Sequence, residues 1–196
     1  MGIGAGQAPR PGASQPVQRL FIALMLPSDA AGLTAAVGRD SRARGLTGAD
    51  IRTDRLHVTL VHVGDYEGEL PTSEVGRVAR ALDRLSMEAV DLVFDQAGGF
   101  AGASGAHPHV LLGGAGLDGV RTLRQAIWDA VRGAATTHAG PPFTPHVTLM
   151  YADRLAEARA ITPIRWTATE LVLIHSEVGR SIHHTLGRWP LRGRAA

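Results

Sequence analysis

The tetrapeptide His-Val-Thr-Leu occurs twice in this chain of 196 residues, at positions 57–60 and 146–149. Both copies are rich in β-branched and apolar residues, which favours a β-strand. Because side chains alternate between the two faces of a strand, the histidine and threonine of each copy share one face, and the valine and leucine share the other. Each copy therefore predicts a strand with an apolar face in a core and a polar face towards a cleft.

The segments around the two copies show similar orders of predicted elements. Apolar residues that alternate indicate strands, and those that recur every three or four positions indicate helices. The predicted strands are 20–26, 56–63, 89–96, 109–113, 146–151, 167–176 and 182–190, and the predicted helices are 28–44, 72–85, 117–132 and 153–160. We therefore expect an α+β, bilobal fold with two pseudo-symmetric lobes, in which antiparallel sheets line a central cleft and helices cover the outside.

The ends of the chain and its hydropathy suggest a simple organisation. Residues 1–18 are rich in glycine, proline, alanine and glutamine without apolar periodicity, which predicts a disordered tail before a single domain over 19–196. No apolar run approaches the roughly 20 residues that span a bilayer, and no signal-peptide pattern precedes position 20. We expect a cytoplasmic monomer without a membrane partner.

The composition excludes some classes of site. The chain contains no cysteine, so neither thiolate metal sites nor disulfide bonds can form. Its 20 basic residues are all arginine, whose guanidinium stays charged at ordinary pH and can hold a phosphate through two parallel hydrogen bonds. The formal net charge of +2 is too small to indicate a surface dedicated to duplex nucleic acid.

Two histidines and two threonines on facing strands suit phosphodiester hydrolysis. In-line attack on phosphorus needs a base that takes a proton from water and an acid that protonates the departing oxygen. Imidazole, with an ordinary pKa of about 6.5, serves in either role near neutral pH, and threonine hydroxyls can donate to the non-bridging oxygens. We predict His57 and His146 as the acid–base pair and Thr59 and Thr148 as donors, with no metal or cofactor. The roles depend on how the substrate lies; we favour His146 as base and His57 as acid.

Another motif competes with this interpretation. Gly114, Gly116 and Gly119 fit the Gly-x-Gly-x-x-Gly pattern of dinucleotide sites, after a predicted strand and at the start of a predicted helix. A dinucleotide-binding unit also needs a second strand soon after the helix and an acidic residue about 20 positions beyond the glycines, and the sequence supplies neither. We interpret the glycines as a connection between a strand and a helix.

The remaining histidines are interpreted as structural or peripheral. Strand alternation places His62 on the face opposite His57. His183 begins a loose match to the motif but has no corresponding half, and we interpret it as a chance match. His107 and His109 flank a proline at the start of a predicted strand and are candidates for the rim of the cleft.

The two motifs and their flanks resemble those of the 2H phosphoesterases, in particular the bacterial RNA 2′,3′-cyclic phosphodiesterases, also called RNA 2′-5′ ligases. The resemblance is carried by the opening at 19–27, by Arg-Leu-His-Val-Thr-Leu at 55–60, by Pro-Phe-Thr-Pro-His-Val-Thr-Leu at 142–149 and by Trp-Pro-Leu at 189–191. It implies metal-independent opening of a 2′,3′-cyclic phosphate, on an RNA end or a nucleotide, to a 2′-phosphate. Ligation to a 2′-5′ linkage would be the reverse reaction.

One residue after the second motif bears on the choice of substrate. Many members of the RNA branch carry an arginine where this chain has Tyr151, which is compatible with other small cyclic phosphates such as an ADP-ribose cyclic phosphate. A binding module that holds RNA ends or a phosphorylated metabolite without turnover is a further alternative. We predict that Phe100 and Tyr151 stack on or contact the nucleotide and that Arg52 or Arg55 pairs with phosphate.

Overall fold

The computed structural model describes residues 15–101, 106–134 and 143–192. The elements in chain order are β1 (Val17–Met25), α1 (Ser28–Ala43), β2 (Gly48–Asp50), β3 (His57–Glu67), α2 (Thr72–Leu82), β4 (Val90–Gly99), β5 (His107–Leu112), α3 (Asp118–Val131), β6 (Val147–Ala152), β7 (Arg159–Ala168), β8 (Glu170–Glu177) and β9 (Ile182–Pro190). Two short 3-10 turns cover Thr53–Arg55 and Ala115–Leu117.

The strands form two separate antiparallel sheets. The first sheet has the order β3-β1-β8-β9, and the second has the order β2-β6-β5-β4-β7. Each sheet contains one of the two motif strands, β3 in the first and β6 in the second. This arrangement confirms the predicted α+β class with two lobes, although the lobes are not the two halves of the sequence, since β8 and β9 return to the first sheet.

A strand–helix–strand unit is repeated, as the sequence predicted. β1, α1 and β3 form the first copy, and β5, α3 and β6 form the second. In each copy the outer strands pair antiparallel, so that Ala23 lies opposite Thr59 and Val110 lies opposite Thr148. The two motif strands therefore occupy corresponding places in the two sheets.

The apolar faces of the motif strands are anchored in one large core. Val58 and Leu60 of β3 and Val147 and Leu149 of β6 are almost completely buried. They belong to one cluster with apolar side chains of α2 and α3. Burying a side chain of this size stabilises the fold by roughly 1.5–3 kcal/mol. A rotation of either strand would expose this face, so the core keeps the histidine and threonine faces pointing away from it.

The helices lie away from the space between the sheets. Ser41 of α1 contacts His109 of β5, and apolar residues of α2 and α3 cluster with the core. Within the described ranges, no helix is long and apolar enough to cross a membrane.

Three sequence predictions at the level of secondary structure need correction. Residues 153–160 were predicted as a helix, but 153–158 form no helix and β7 begins at Arg159. Pro163 made β7 difficult to recognise from the sequence, because proline is tolerated in a strand only at the edge of a sheet. The structure shows that β7 is an edge strand of the second sheet. The predicted strand 167–176 is the end of β7 and most of β8, and the three-residue β2 was not predicted. The tail predicted over 1–18 lies outside the described residues up to position 14, and its last two residues belong to β1.

The glycine-rich connection after β5 serves packing. β5 and β6 are antiparallel, so the helix between them does not join parallel strands as a dinucleotide-binding unit requires. A Cβ atom on Gly116 would lie 2.6 Å from Cβ of Val93 in β4, whereas a Cβ on Gly114 would meet nothing within 4 Å. Gly116 is therefore needed because the turn approaches β4 closely.

We predict that Gly116→Ala lowers the free energy of unfolding by about 1–3 kcal/mol, because the added methyl group overpacks the contact with Val93. Gly32→Ala is the matched control. Gly32 lies in α1 with open space around it, and alanine there should stabilise the helix by up to about 1 kcal/mol. Urea unfolding measures both variants, and equal stability of the two would contradict this packing role.

Candidate active site

A cavity of about 500 Å³ lies between the two sheets. Its walls include His57 and Thr59 of β3, together with His146 just before β6 and Thr148 within β6. The structure therefore brings both predicted pairs to one space. No residue of the three helices is among the described residues that line it.

The two histidines are held in the same way. Nδ1 of His57 lies 2.6 Å from the carbonyl oxygen of Arg55, and Nδ1 of His146 lies 2.8 Å from the carbonyl oxygen of Thr144. A carbonyl oxygen only accepts hydrogen bonds, so Nδ1 of each ring carries the proton and donates. Nε2 is then the ring nitrogen left to exchange a proton with a ligand. In both copies the acceptor stands two residues before the histidine.

Burial makes both histidines difficult to protonate in the free protein. Desolvation lowers the pKa of His57, the hydrogen bond to the Arg55 carbonyl opposes this shift, and the positive charges of Arg55 and His146 lower it further. Desolvation also lowers the pKa of His146, again against the hydrogen bond to a carbonyl. Both rings are therefore mainly neutral at pH 7. An anion in the cavity would favour the protonated form of either ring.

Aromatic contacts fix the planes of both rings. Phe21 of β1 stacks on His57 with ring centroids 5.0 Å apart, and Phe100 meets His146 edge-on at 5.1 Å. Phe100 was predicted to contact the nucleotide, but it is not among the residues lining the cavity. The structure places it as a support for His146.

A β-bulge in each motif strand reverses the alternation of side chains. In β3 the register passes from Ala23 opposite Thr59 to Ile22 opposite Val61, so that Leu60 is an extra residue. Leu60 and Val61 are both buried, and the next residue, His62, lines the cavity. The prediction that His62 lies on the opposite face is wrong because simple alternation does not continue through a bulge.

The bulge in β6 is at the corresponding position. Leu149 and Met150 are both buried, and Tyr151, which was predicted to contact the nucleotide, lines the cavity. His62 and Tyr151 are therefore equivalent residues of the two repeats, each five positions after its motif histidine. In both copies the bulge, defined by the register with the partner strand, coincides with two consecutive buried apolar residues.

His183, interpreted from the sequence as a chance match, also lines the cavity. Its ring centroid lies 5.7 Å from that of His57, and its Nε2 lies 2.9 Å from Nη2 of Arg55. Since guanidinium can only donate, Nε2 of His183 accepts and the ring is neutral. Desolvation, followed by the charge of Arg55, lowers the pKa of His183 to about 4. Sequence offered no signal for this contact, because it depends on β9 joining the first sheet.

Among the described residues, two arginines line the cavity, and they differ in their partners. Arg19 donates from Nε and Nη2 to the two carboxylate oxygens of Asp65, each at 2.7 Å, and His62 lies 2.9 Å from the same carboxylate. The hydrogen bond from Arg19 is the main reason that the pKa of Asp65 falls to about 2. Arg55 forms no ion pair with a carboxylate in the part of the chain that the structure describes.

Three other predicted residues lie elsewhere. Arg52 is exposed, pairs with Asp54 at 2.6 Å and does not line the cavity. His109 is buried and bonded to Ser41 at 2.8 Å, so it is not at the rim. His109 of β5 occupies the position that Ile22 of β1 has in the first repeat. Ile22 is buried, which explains why His109 is buried as well. His107 is not among the residues lining the cavity either.

Within residues 15–101, 106–134 and 143–192, no three or more histidine, aspartate or glutamate side chains are grouped so that they could hold a metal ion.

The family model of the 2′-5′ RNA ligase superfamily matches residues 33–180 of the chain. The protein therefore belongs to this superfamily of 2H phosphoesterases, which confirms the predicted resemblance. Membership supports an enzyme that acts on phosphoester bonds. No curated protein sequence matches the chain significantly.

Solved structures share the fold. The crystal structure of apo E. coli LigT has a TM-score of 0.72 and 22% identity and covers 91% of this chain and 99% of LigT. E. coli LigT complexed with 3′-AMP has a TM-score of 0.70 and 24% identity, over 89% of this chain and 98% of LigT. The protein TT0787 of Thermus thermophilus has a TM-score of 0.69 and 21% identity, over 90% of this chain and all of that one (100%).

We predict that His57 and His146 titrate below about pH 6.5 in the ligand-free protein, because their rings are desolvated. NMR of the imidazole nitrogens, assigned with His→Gln variants, measures the midpoints and shows whether Nδ1 carries the proton. The chain unfolded in urea is the reference, in which all histidines should titrate near about 6.5. Midpoints at or above the unfolded value would contradict the effect of burial.

Proposed function

We propose that this protein hydrolyses a 2′,3′-cyclic phosphate, on RNA ends or nucleotides, to a 2′-phosphate by two-histidine acid–base catalysis without a metal. The observation that carries the proposal is the symmetric arrangement of His57 and His146, each with Nδ1 bonded to a carbonyl and each beside a threonine in one cavity. Family membership supports phosphoester chemistry. The complex of LigT with 3′-AMP supports a nucleotide as the ligand class.

The proposed reaction uses one proton transfer at each histidine. Nε2 of His146 takes a proton from water, and the water oxygen forms a bond to phosphorus. The bond from phosphorus to the 3′ oxygen breaks, and protonated His57 gives its proton to that oxygen. Thr59 and Thr148 donate hydrogen bonds to the non-bridging oxygens, where charge must be held. The products are a 2′-phosphate and a free 3′-hydroxyl.

The substrate supplies part of the electrostatics. Both rings are neutral in the free cavity, so the acid must gain its proton as substrate binds. A phosphate anion between the rings stabilises imidazolium, which raises the pKa of the neighbouring histidine. The same geometry would accept a 5′-hydroxyl in place of water, which would give the 2′-5′ ligation implied by the resemblance.

Tyr151 and His62 are proposed to contact the nucleotide, since the bulges bring both side chains to the cavity from opposite sheets. Tyr151 also favours a second candidate substrate, a cyclic phosphate on ADP-ribose, because this tyrosine occupies the position where many members of the RNA branch carry an arginine. E. coli LigT has been crystallised in complex with NADP+, which is a dinucleotide. A module that binds such ligands without turnover is the remaining alternative.

We predict that His57→Ala and His146→Ala each lower kcat/KM by at least about 10²-fold, because each removes an acid or a base. His184→Ala is the matched control, since His184 lies in β9, pairs with Glu177 and does not line the cavity. Circular dichroism and urea unfolding verify that the variants are folded. A near-normal rate in either active-site variant would exclude the two-histidine mechanism.

A substrate panel in EDTA tests the reaction and the alternatives. We expect hydrolysis of adenosine 2′,3′-cyclic phosphate and of an oligonucleotide with a cyclic phosphate end, with a 2′-phosphate as product by phosphorus NMR. Turnover of an ADP-ribose cyclic phosphate alone would favour the second candidate. Binding without turnover of any of the three would favour the binding module. Loss of activity in EDTA, restored by a divalent cation, would contradict metal independence.

A further inference from the structure

Arg55 has an unusual environment for a cation. Its side chain is half-buried in the cavity wall, and its Nη2 donates to neutral His183. The buried Nε of Arg55 has no hydrogen-bond partner among the residues that the structure describes. Arg19, the other arginine of the cavity wall, is fully paired with Asp65. Asp54 interacts with Arg55 electrostatically but pairs with Arg52. A partly desolvated guanidinium without a paired carboxylate is unfavourable until an anion binds, so its environment indicates a ligand with negative charge.

The position of this pair separates it from the reacting phosphate. Arg55 ends the 3-10 turn before β3, and His183 belongs to β9, so both are attached to the first sheet. The rings of Phe21 and His57, also of the first sheet, contact His183. In the proposed reaction phosphorus lies between His57 and His146, midway between the sheets. An anion at Arg55 therefore lies on the His57 side of phosphorus, where the departing 3′ oxygen and its ribose are.

We propose that Arg55, positioned by His183, forms a second anion subsite, which binds a phosphate on the 5′ oxygen of the ribose that carries the cyclic phosphate. This inference rests on the proposed function and narrows its substrate class. The preferred substrate has at least two phosphates on one nucleoside, as a 5′-phosphorylated nucleotide or an RNA end has. A simple nucleoside cyclic phosphate fills only the site between the histidines.

Occupation of the subsite also affects the chemistry. The positive charge of Arg55 disfavours protonation of His57. A phosphate at Arg55 compensates this charge, so the protonated form of His57 becomes easier to reach. The second phosphate therefore increases kcat as well as affinity, and the limb of the kcat–pH profile that belongs to His57 moves to higher pH when it is present.

The test compares adenosine 2′,3′-cyclic phosphate with two extended substrates, its 5′-phosphorylated form and the dinucleotide ApA with the same cyclic end. We expect native protein to favour an extended substrate by roughly tenfold or more in kcat/KM, since a charge-assisted hydrogen bond is gained. Preference for the dinucleotide alone assigns the subsite to RNA ends, and preference for the 5′-monophosphate alone assigns it to nucleotides.

Variants separate this subsite from general effects. Arg55→Met should bring the ratio of kcat/KM values close to one, and His183→Phe, which keeps an aromatic ring without an acceptor, should reduce it severalfold. Arg188→Met is the control, because Arg188 lies on β9 and pairs with Glu170 outside the cavity. It should keep the native ratio. The pH profile of kcat should shift between the two mononucleotide substrates in native protein and not in Arg55→Met.

Two outcomes would overturn the inference in distinguishable ways. If native protein hydrolyses all substrates at similar kcat/KM, or if Arg55→Met slows all of them equally, Arg55 does not bind a second phosphate although the proposed function stands. If native protein hydrolyses none of them, the proposed function itself fails.

Discussion

The hydrogen bond from Nδ1 of each motif histidine to the carbonyl oxygen two residues earlier determines what this cavity can do. It sets the tautomer, so that the same ring atom, Nε2, is free in both copies. It also ties the ring to the backbone at the point where the strand enters the sheet. The burial of Val58 and Val147 on the other face keeps that backbone in place. The two rings that exchange protons are therefore oriented by hydrogen bonds to main-chain carbonyl groups. A carbonyl group can accept such a bond whichever residue carries it.

Charge in the cavity is nearly balanced before a ligand arrives. Asp65 compensates Arg19 and the motif histidines are neutral, whereas Arg55 forms no ion pair with a carboxylate of the described residues. A cavity of this kind attracts an anion through few groups, so the position of each charge affects selectivity strongly. Each sheet also presents one carboxylate to the cavity, Asp50 from the second sheet and Glu177 from the first, and each is paired with an arginine.

Sequence patterns predicted the fold class and the facing pairs of histidine and threonine because these depend on local periodicity. The core faces of β3 and β6 can be predicted from their alternating apolar residues. The helix α3 can be predicted from apolar residues at every third or fourth position. Features that depend on pairing between distant segments could not be predicted from the sequence. The strand β7 was mistaken for a helix at its start because pairing with β4 overrides local propensity, and His62 was misplaced because its bulge depends on the register with β1. His183 reaches the cavity only through the order of strands in the first sheet.

The interleaving of chain segments in the first sheet has a consequence for biosynthesis. β1 pairs with β8, with Gln18 opposite Glu177, so this pairing can form only after residue 177 has been synthesised. β9 then pairs with β8. While the ribosome is still extending the chain, β1 and β3 can form only a two-stranded ribbon whose outer edge is open, and ribbons of this kind are marginally stable alone. The cavity wall that contains His183 is thus the last part to assemble. The need to close pairs of distant segments makes folding slow relative to that of helical proteins of similar size.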